Sequence, residues 1–129
     1  MTTLLLDTST ATCKITVVDG DLSQNYTWES GRQLAAGLLT CIEECLAKSG
    51  KKLQDIRGIG VYRGPGSFTG LRIGITVVNT IAESNQVPIV GETGDDWQTT
   101  AKDRLASGQN DQIVMPLYGS EAHITKQRK

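Results

Sequence analysis

Hydrophobic positions along this 129-residue chain change period several times, and each change marks an element. Leu4, Leu5 and Leu6 form a short continuous apolar run ending at Asp7. "CKITVVDGDLSQNYTW", from Cys13, then supplies two β-rich runs punctuated by Asp19, Gly20 and Asp21. This predicts a strand followed by a hairpin with a glycine-containing turn. Between Arg32 and Lys48 the residues Leu34, Ala35, Leu38, Leu39, Ile42, Cys45 and Leu46 recur at spacings of three and four, while Glu43, Glu44 and Lys48 fall outside the stripe. That spacing predicts an amphipathic helix, ended by Gly50. After a short turn around 53–56, "GIGVY" from Gly58 and "VPIVG" from Val87 read as buried strands, with a second helix over 67–84 between them. Strand, hairpin, helix, strand, helix, strand is an α/β order with a mixed sheet.

The second helix is apolar nearly all round. Phe68, Leu71, Ile75, Val78 and Ala82 make one stripe, Ile73, Val77 and Ile81 another, and Arg72, Thr76, Asn79 and Glu83 leave only a narrow polar strip. Such a helix is buried on both sides. One side packs on the sheet; the other needs the first helix or another protein chain, and periodicity alone leaves those two options level.

The densest stretch is "GPGSFTGLRIG", residues 64–74, at a strand-to-helix turn where phosphate-binding loops also sit. It lacks the lysine of a Walker loop, and Thr69 occupies the third glycine position of GxGxxG. Pro65 and Thr69 fill the glycine positions of a GxSxG elbow, and the single histidine, His123, is remote in sequence, so serine hydrolysis has no evident base. Gly66, Gly70 and Gly74 recur every four residues. Each glycine in a helix interior costs roughly 1 kcal/mol relative to alanine, so the stripe predicts the close approach of another backbone.

Length implies one modest domain. A net charge of −1 gives no overall electrostatic reason to expect nucleic acid or membrane, although Lys126, Gln127, Arg128 and Lys129 form a small basic tail that is either solvated or an RNA contact. Cys13, Cys41 and Cys45 show no CxxC or zinc spacing and read as reduced, buried thiols, with a redox role as the alternative. No apolar run has the length of a signal peptide or a membrane span, so a cytoplasmic protein is expected.

"GPGSFTGLRIG" after a strand, together with "LLLDTSTATCKITVVDGD" near the N-terminus, resembles the TsaB (YeaZ-like) family of tRNA threonylcarbamoyladenosine biosynthesis, over about residues 3–92. The resemblance implies an RNase-H-like lobe of the actin, sugar-kinase and Hsp70 group. It also implies a non-catalytic relative of the threonylcarbamoyltransferase TsaD, with no catalytic residue, cofactor or metal of its own. The implied partners are a TsaD-like subunit or a second copy, joined through packed helices, and a TsaE-like ATPase that joins the pair; tRNA is met only indirectly, and no membrane. On the first pairing helix the implied contact residues are Leu34, Leu38, Leu39, Ile42, Cys45 and Leu46. From the motif and its helix they are Gly66, Ser67, Phe68, Thr69, Gly70, Leu71, Arg72, Gly74, Ile75 and Val78. Asp7, Thr8 and Ser9 stand where the wider group places a phosphate loop. They read either as a residual nucleotide contact or as a hydrogen-bonded turn at the strand end.

Two departures from the family pattern matter. Arg32, Gln33 and Leu34 lack the histidine that usually follows the arginine, and residues 93–129 offer room for one short helix near 95–106 and one strand near 112–118. A shortened form is therefore expected, with a lobe over 1–92 and an extension over 93–129 in place of most of a second lobe. A self-associating regulatory homodimer, an ATPase-like protein using Asp7, and a peptidase are the competing readings.

Overall fold

The computed structural model describes residues 1–118. Its five strands are β1 (Thr2–Asp7), β2 (Thr12–Asp19), β3 (Leu22–Glu29), β4 (Ile56–Tyr62) and β5 (Ile89–Glu92), in the sheet order β3-β2-β1-β4-β5. β1 pairs antiparallel with β2 and β2 with β3, whereas β1–β4 and β4–β5 are parallel, so the sheet is mixed. The helices are α1 (Leu34–Lys48), α2 (Phe68–Asn85) and α3 (Trp97–Ala106).

The unbroken leucine run of β1 follows from its central place. Side chains alternate across a strand. Leu4 and Leu6 join the main core with Ile15, Val17, Ile59 and the inner faces of α1 and α2, while Leu5 joins Val90, Trp97, Ala101 and Leu105 under α3. Two helices thus cover one face of the sheet and a single short helix the other. The outward face of β2 and β3 is polar. There Thr16 donates to Asn25 at 2.7 Å and receives a hydrogen bond from Gln98 of α3.

Local chemistry sets the helix ends. The Gly50 and Lys51 amides close α1 on the Ala47 and Leu46 carbonyls, with Gly50 at φ 73° where a side chain would be strained. At the other end, Arg32 and Gln33 fall in a 3-10 turn (Gly31–Gln33) rather than in the helix expected from residue 32. The Ser30 amide and hydroxyl bond the Ala11 carbonyl, and this fixes the entry one turn before regular winding begins. Ser67 caps α2 by accepting from the Gly70 amide at 3.2 Å.

The strand expected near 112–118 does not form. Residues 107–118 run beside β5 and α2, but their backbone bonds, from the Asp111 amide to the Ile89 carbonyl and from the Leu117 amide to the Arg63 carbonyl, do not extend into a ladder, and side chains supply the others. Asn110 accepts from the Ile89 amide, Asp111 from the Gly91 amide, and Asn79 bonds both the amide and the carbonyl of Val114. Val114 is buried in the main core, and Arg104 ties the segment down through Asp111 and Glu92. Residues 93–118 therefore pack onto the 1–92 lobe. His123 and the basic tail lie outside the described residues.

Candidate partner-binding surface

The glycine stripe finds its close neighbour within the chain. A Cβ on Gly70 would run into the Thr8 carbonyl, one on Gly74 into the Thr8 side chain, and one on Gly66 would lie 2.5 Å from the Ser9 Cβ. Gly66 precedes the helix altogether. The groove expected to receive a partner helix is thus filled by the β1–β2 loop. Thr8, fully buried, donates its hydroxyl to the Gly70 carbonyl at 2.7 Å, and the Ser67 amide donates to the Ser9 carbonyl at 2.8 Å.

The same contacts decide how Asp7, Thr8 and Ser9 are used. The Asp7 carboxylate accepts from the Ser9 amide at 2.9 Å, a turn closed at the strand end. Both side-chain oxygens named so far in this loop have protein partners, and α2 occupies the space above Thr8. No group of three or more histidine, cysteine or acidic side chains with metal-ligand spacing occurs among the described residues.

Of the helix residues expected to meet a partner, most are held by the chain's own core. Leu34, Leu38, Ile42, Cys45 and Leu46 of α1 and Gly70, Leu71, Gly74, Ile75 and Val78 of α2 are buried, several of them completely, and offer little surface to another chain. Leu39, Gly66, Ser67, Phe68, Thr69 and Arg72 are exposed. The period of α1 carries Leu38 to the sheet and its neighbour Leu39 to the surface, where it is 46% exposed.

A different stripe of α2 opens to solvent beside α1. Ile73 and Val77, only partly buried, lie with Ala35, Phe68, Thr69 and Thr76 along a hollow of about 350 Å³. Val77 and Thr76 continue it into a second of about 450 Å³ that includes Leu39, Leu53 and Thr80. Together they make one apolar groove between the outer faces of the two helices. Phe68, 56% exposed, stands at one end with its ring 4.4 Å from that of Tyr118. The second apolar stripe of α2 was the signal for this groove in the sequence; Leu53 carried none, because only folding brings it beside Leu39 and Val77.

The three thiols are free. Burial, then the neighbouring thiols of Cys41 and Cys45, push Cys13 up to about 12, and burial pushes Cys45 up to about 11 and raises Cys41 as well. These are protonated, weakly nucleophilic groups at neutral pH.

Residues 28–94, just over half of the chain, match the family described as "TsaD: tRNA N6-adenosine threonylcarbamoyltransferase". The chain is 34% identical over 92 residues to the tRNA threonylcarbamoyladenosine biosynthesis protein TsaB of Escherichia coli K12, which covers 70% of this chain and 39% of that protein. It is 33% identical over 120 residues to TsaB of Bacillus subtilis 168, covering 92% and 50%. It also matches the tRNA N6-adenosine threonylcarbamoyltransferase of Paracoccus denitrificans, at 37% identity over 62 residues, 48% of this chain and 17% of that one. The solved structure of YeaZ from Pseudomonas aeruginosa superposes with a TM-score of 0.67 at 34% identity, over 71% of this chain and 43% of that chain. The chain thus spans half or less of the length of these TsaB and YeaZ relatives. Its mixed sheet, its α2 motif and these matches together mean that the chain belongs to the TsaB (YeaZ-like) side of the TsaD family, with that family's RNase-H-like fold.

Proposed function

We propose that this chain is a non-catalytic partner subunit in the threonylcarbamoyladenosine modification of tRNA, and that it pairs with a TsaD-like subunit through the α1–α2 groove. The groove carries the reading. Leu39 and Phe68 are exposed, Ile73 and Val77 half-buried, and the strip between them is apolar with nothing of the described chain over it. Covering apolar surface is worth roughly 25 cal/mol per Å², and contiguous apolar patches of this kind mark protein interfaces. Family membership supports the partner's identity, because relatives are named both as TsaB and as the transferase.

The absence of catalysis is supported by how the candidate side chains are engaged. Ser67 caps α2, Thr8 bonds the Gly70 carbonyl, and Asp7 closes a turn on Ser9. A TsaE-like ATPase and tRNA, met through the TsaD-like subunit, belong to the same proposal, as does a cytoplasmic setting; among the described residues no helix is long and apolar enough to cross a membrane.

Light scattering after size exclusion, on the chain alone and mixed with the TsaD-like protein of the same organism, tests this. A stable mixed complex that Leu39→Asp abolishes is the expected result. A complex formed equally well by Leu39→Asp would move the interface elsewhere. No complex, with the chain a tight homodimer, would mean that the groove serves self-pairing.

A further inference from the structure

We infer that Arg72 is the specificity residue of this interface and pairs with a carboxylate of the TsaD-like subunit; the inference rests on the docking proposed above. Among the described residues, Arg72 is the single charged side chain along the groove, whose other lining residues are apolar or neutral. Its guanidinium carbon lies 5.8 Å from the centroid of the Phe68 ring, one turn back on α2. Among the described residues it makes neither an ion pair nor a side-chain hydrogen bond. Arg57, Arg63 and Arg104, by contrast, all donate to groups of their own chain. Arg32 lines the adjoining hollow with Ala35 and Thr69, so this end of the surface is positive. The acids of the two helices, Glu43, Glu44 and Glu83, lie outside the groove lining.

A partner that covers the apolar strip also removes Arg72 from water. An unpaired buried guanidinium is strongly unfavourable, so the partner must answer it, and a carboxylate does so with two parallel hydrogen bonds matched to the planar fork. Phe68 holds the guanidinium at the edge of the strip, where such a group arrives as the apolar surfaces close. A second copy brings the same strip, the same arginine and no lining carboxylate. It is the poorer occupant, and Arg72 therefore selects the acidic partner over self-pairing.

Titration of the TsaD-like subunit against wild type, Arg72→Glu, Arg72→Lys and Leu39→Asp, each at low and at high salt, tests the assignment. Arg72→Glu is expected to weaken binding roughly thirtyfold or more, the loss typical when one member of a buried charge pair is removed. Arg72→Lys should recover part of it, and the salt dependence of wild type should reverse in Arg72→Glu, where salt screens the repulsion between two carboxylates. Arg72 is exposed, so circular dichroism should find all its variants folded. If Leu39→Asp abolishes binding while Arg72→Glu binds with wild-type affinity and salt dependence, the role of Arg72 is refuted and the groove stands. If Leu39→Asp binds normally, or wild type does not bind, the docking itself fails and the arginine assignment with it.

Discussion

The two apolar stripes of α2 are similar in composition and differ in what they meet. Leu71, Ile75 and Val78 press against the sheet and are buried, with Gly70 and Gly74 drawing the helix against Thr8. Ile73 and Val77, on the flank beside α1, stay partly open to solvent. The first stripe fastens the helix to its own domain; the second is left over once that is done. Apolar content therefore does not identify an interface in so small a fold, and a residue becomes available to a partner only after the domain's own packing has taken what it needs.

The contrast is sharpest at the glycines. Gly70→Leu should destabilise the fold by about 3 kcal/mol or more, because the new side chain meets the buried Thr8 backbone rather than open space. Denaturant unfolding followed by circular dichroism measures it. A variant that folds with wild-type stability and loses only its partner would reverse the comparison and make the glycines an external groove.

Next in size is a pair of adjacent leucines. Leu38→Ala removes a completely buried side chain and should cost about 2–5 kcal/mol, whereas Leu39→Ala, at a half-exposed position, should cost under about 1 kcal/mol. Partner affinity should reverse the order, with Leu39→Ala the more damaging of the two among folded protein. Equal stability losses would show that α1 is rotated from the orientation described.

The smallest effect is on pH dependence. Because burial raises the Cys13 thiol from 9.0 to about 12, its contribution to stability is fully present below pH 9 and is lost as the pH climbs from there toward 12. Between pH 8 and 10.5, Cys13→Ala should therefore lose about 2 kcal/mol less stability than wild type in matched denaturant titrations. Identical slopes for the two proteins would mean that Cys13 ionises as freely in the fold as outside it.

Much of the fold was legible in the sequence because the signals were local. The leucine run of β1, the Asp19–Asp21 turn, the three-and-four spacing of α1 and Gly50 after it each sit within a few residues of the structure they specify. The segment 112–118 misled for the opposite reason. Its alternation suits a strand, but Asn79, from the remote α2, takes up the amide and carbonyl of Val114, and Asn110 and Asp111 accept from the β5 amides that a strand partner would have used. The candidate site was legible only in part. Its helices and the exposed Leu39, Phe68 and Arg72 could be named, but Leu38, Ile42 and Ile75 were indistinguishable from them by pattern.

The sequence alone determined the kind of elements, their order, the mixed sheet, and the motif that ties the chain to its family, since periodicity, turn residues and a specific string are properties of neighbours along the chain. Only the tertiary structure decided which stripe of each helix remains open, that Thr8 rather than a second molecule fills the glycine groove, and that Arg72 lies beside apolar surface without an ion pair among the described residues. Those outcomes depend on contacts between residues far apart in sequence. Leu39 and Val77 border the same groove because folding brings α1 and α2 side by side, and no local pattern encodes that distance.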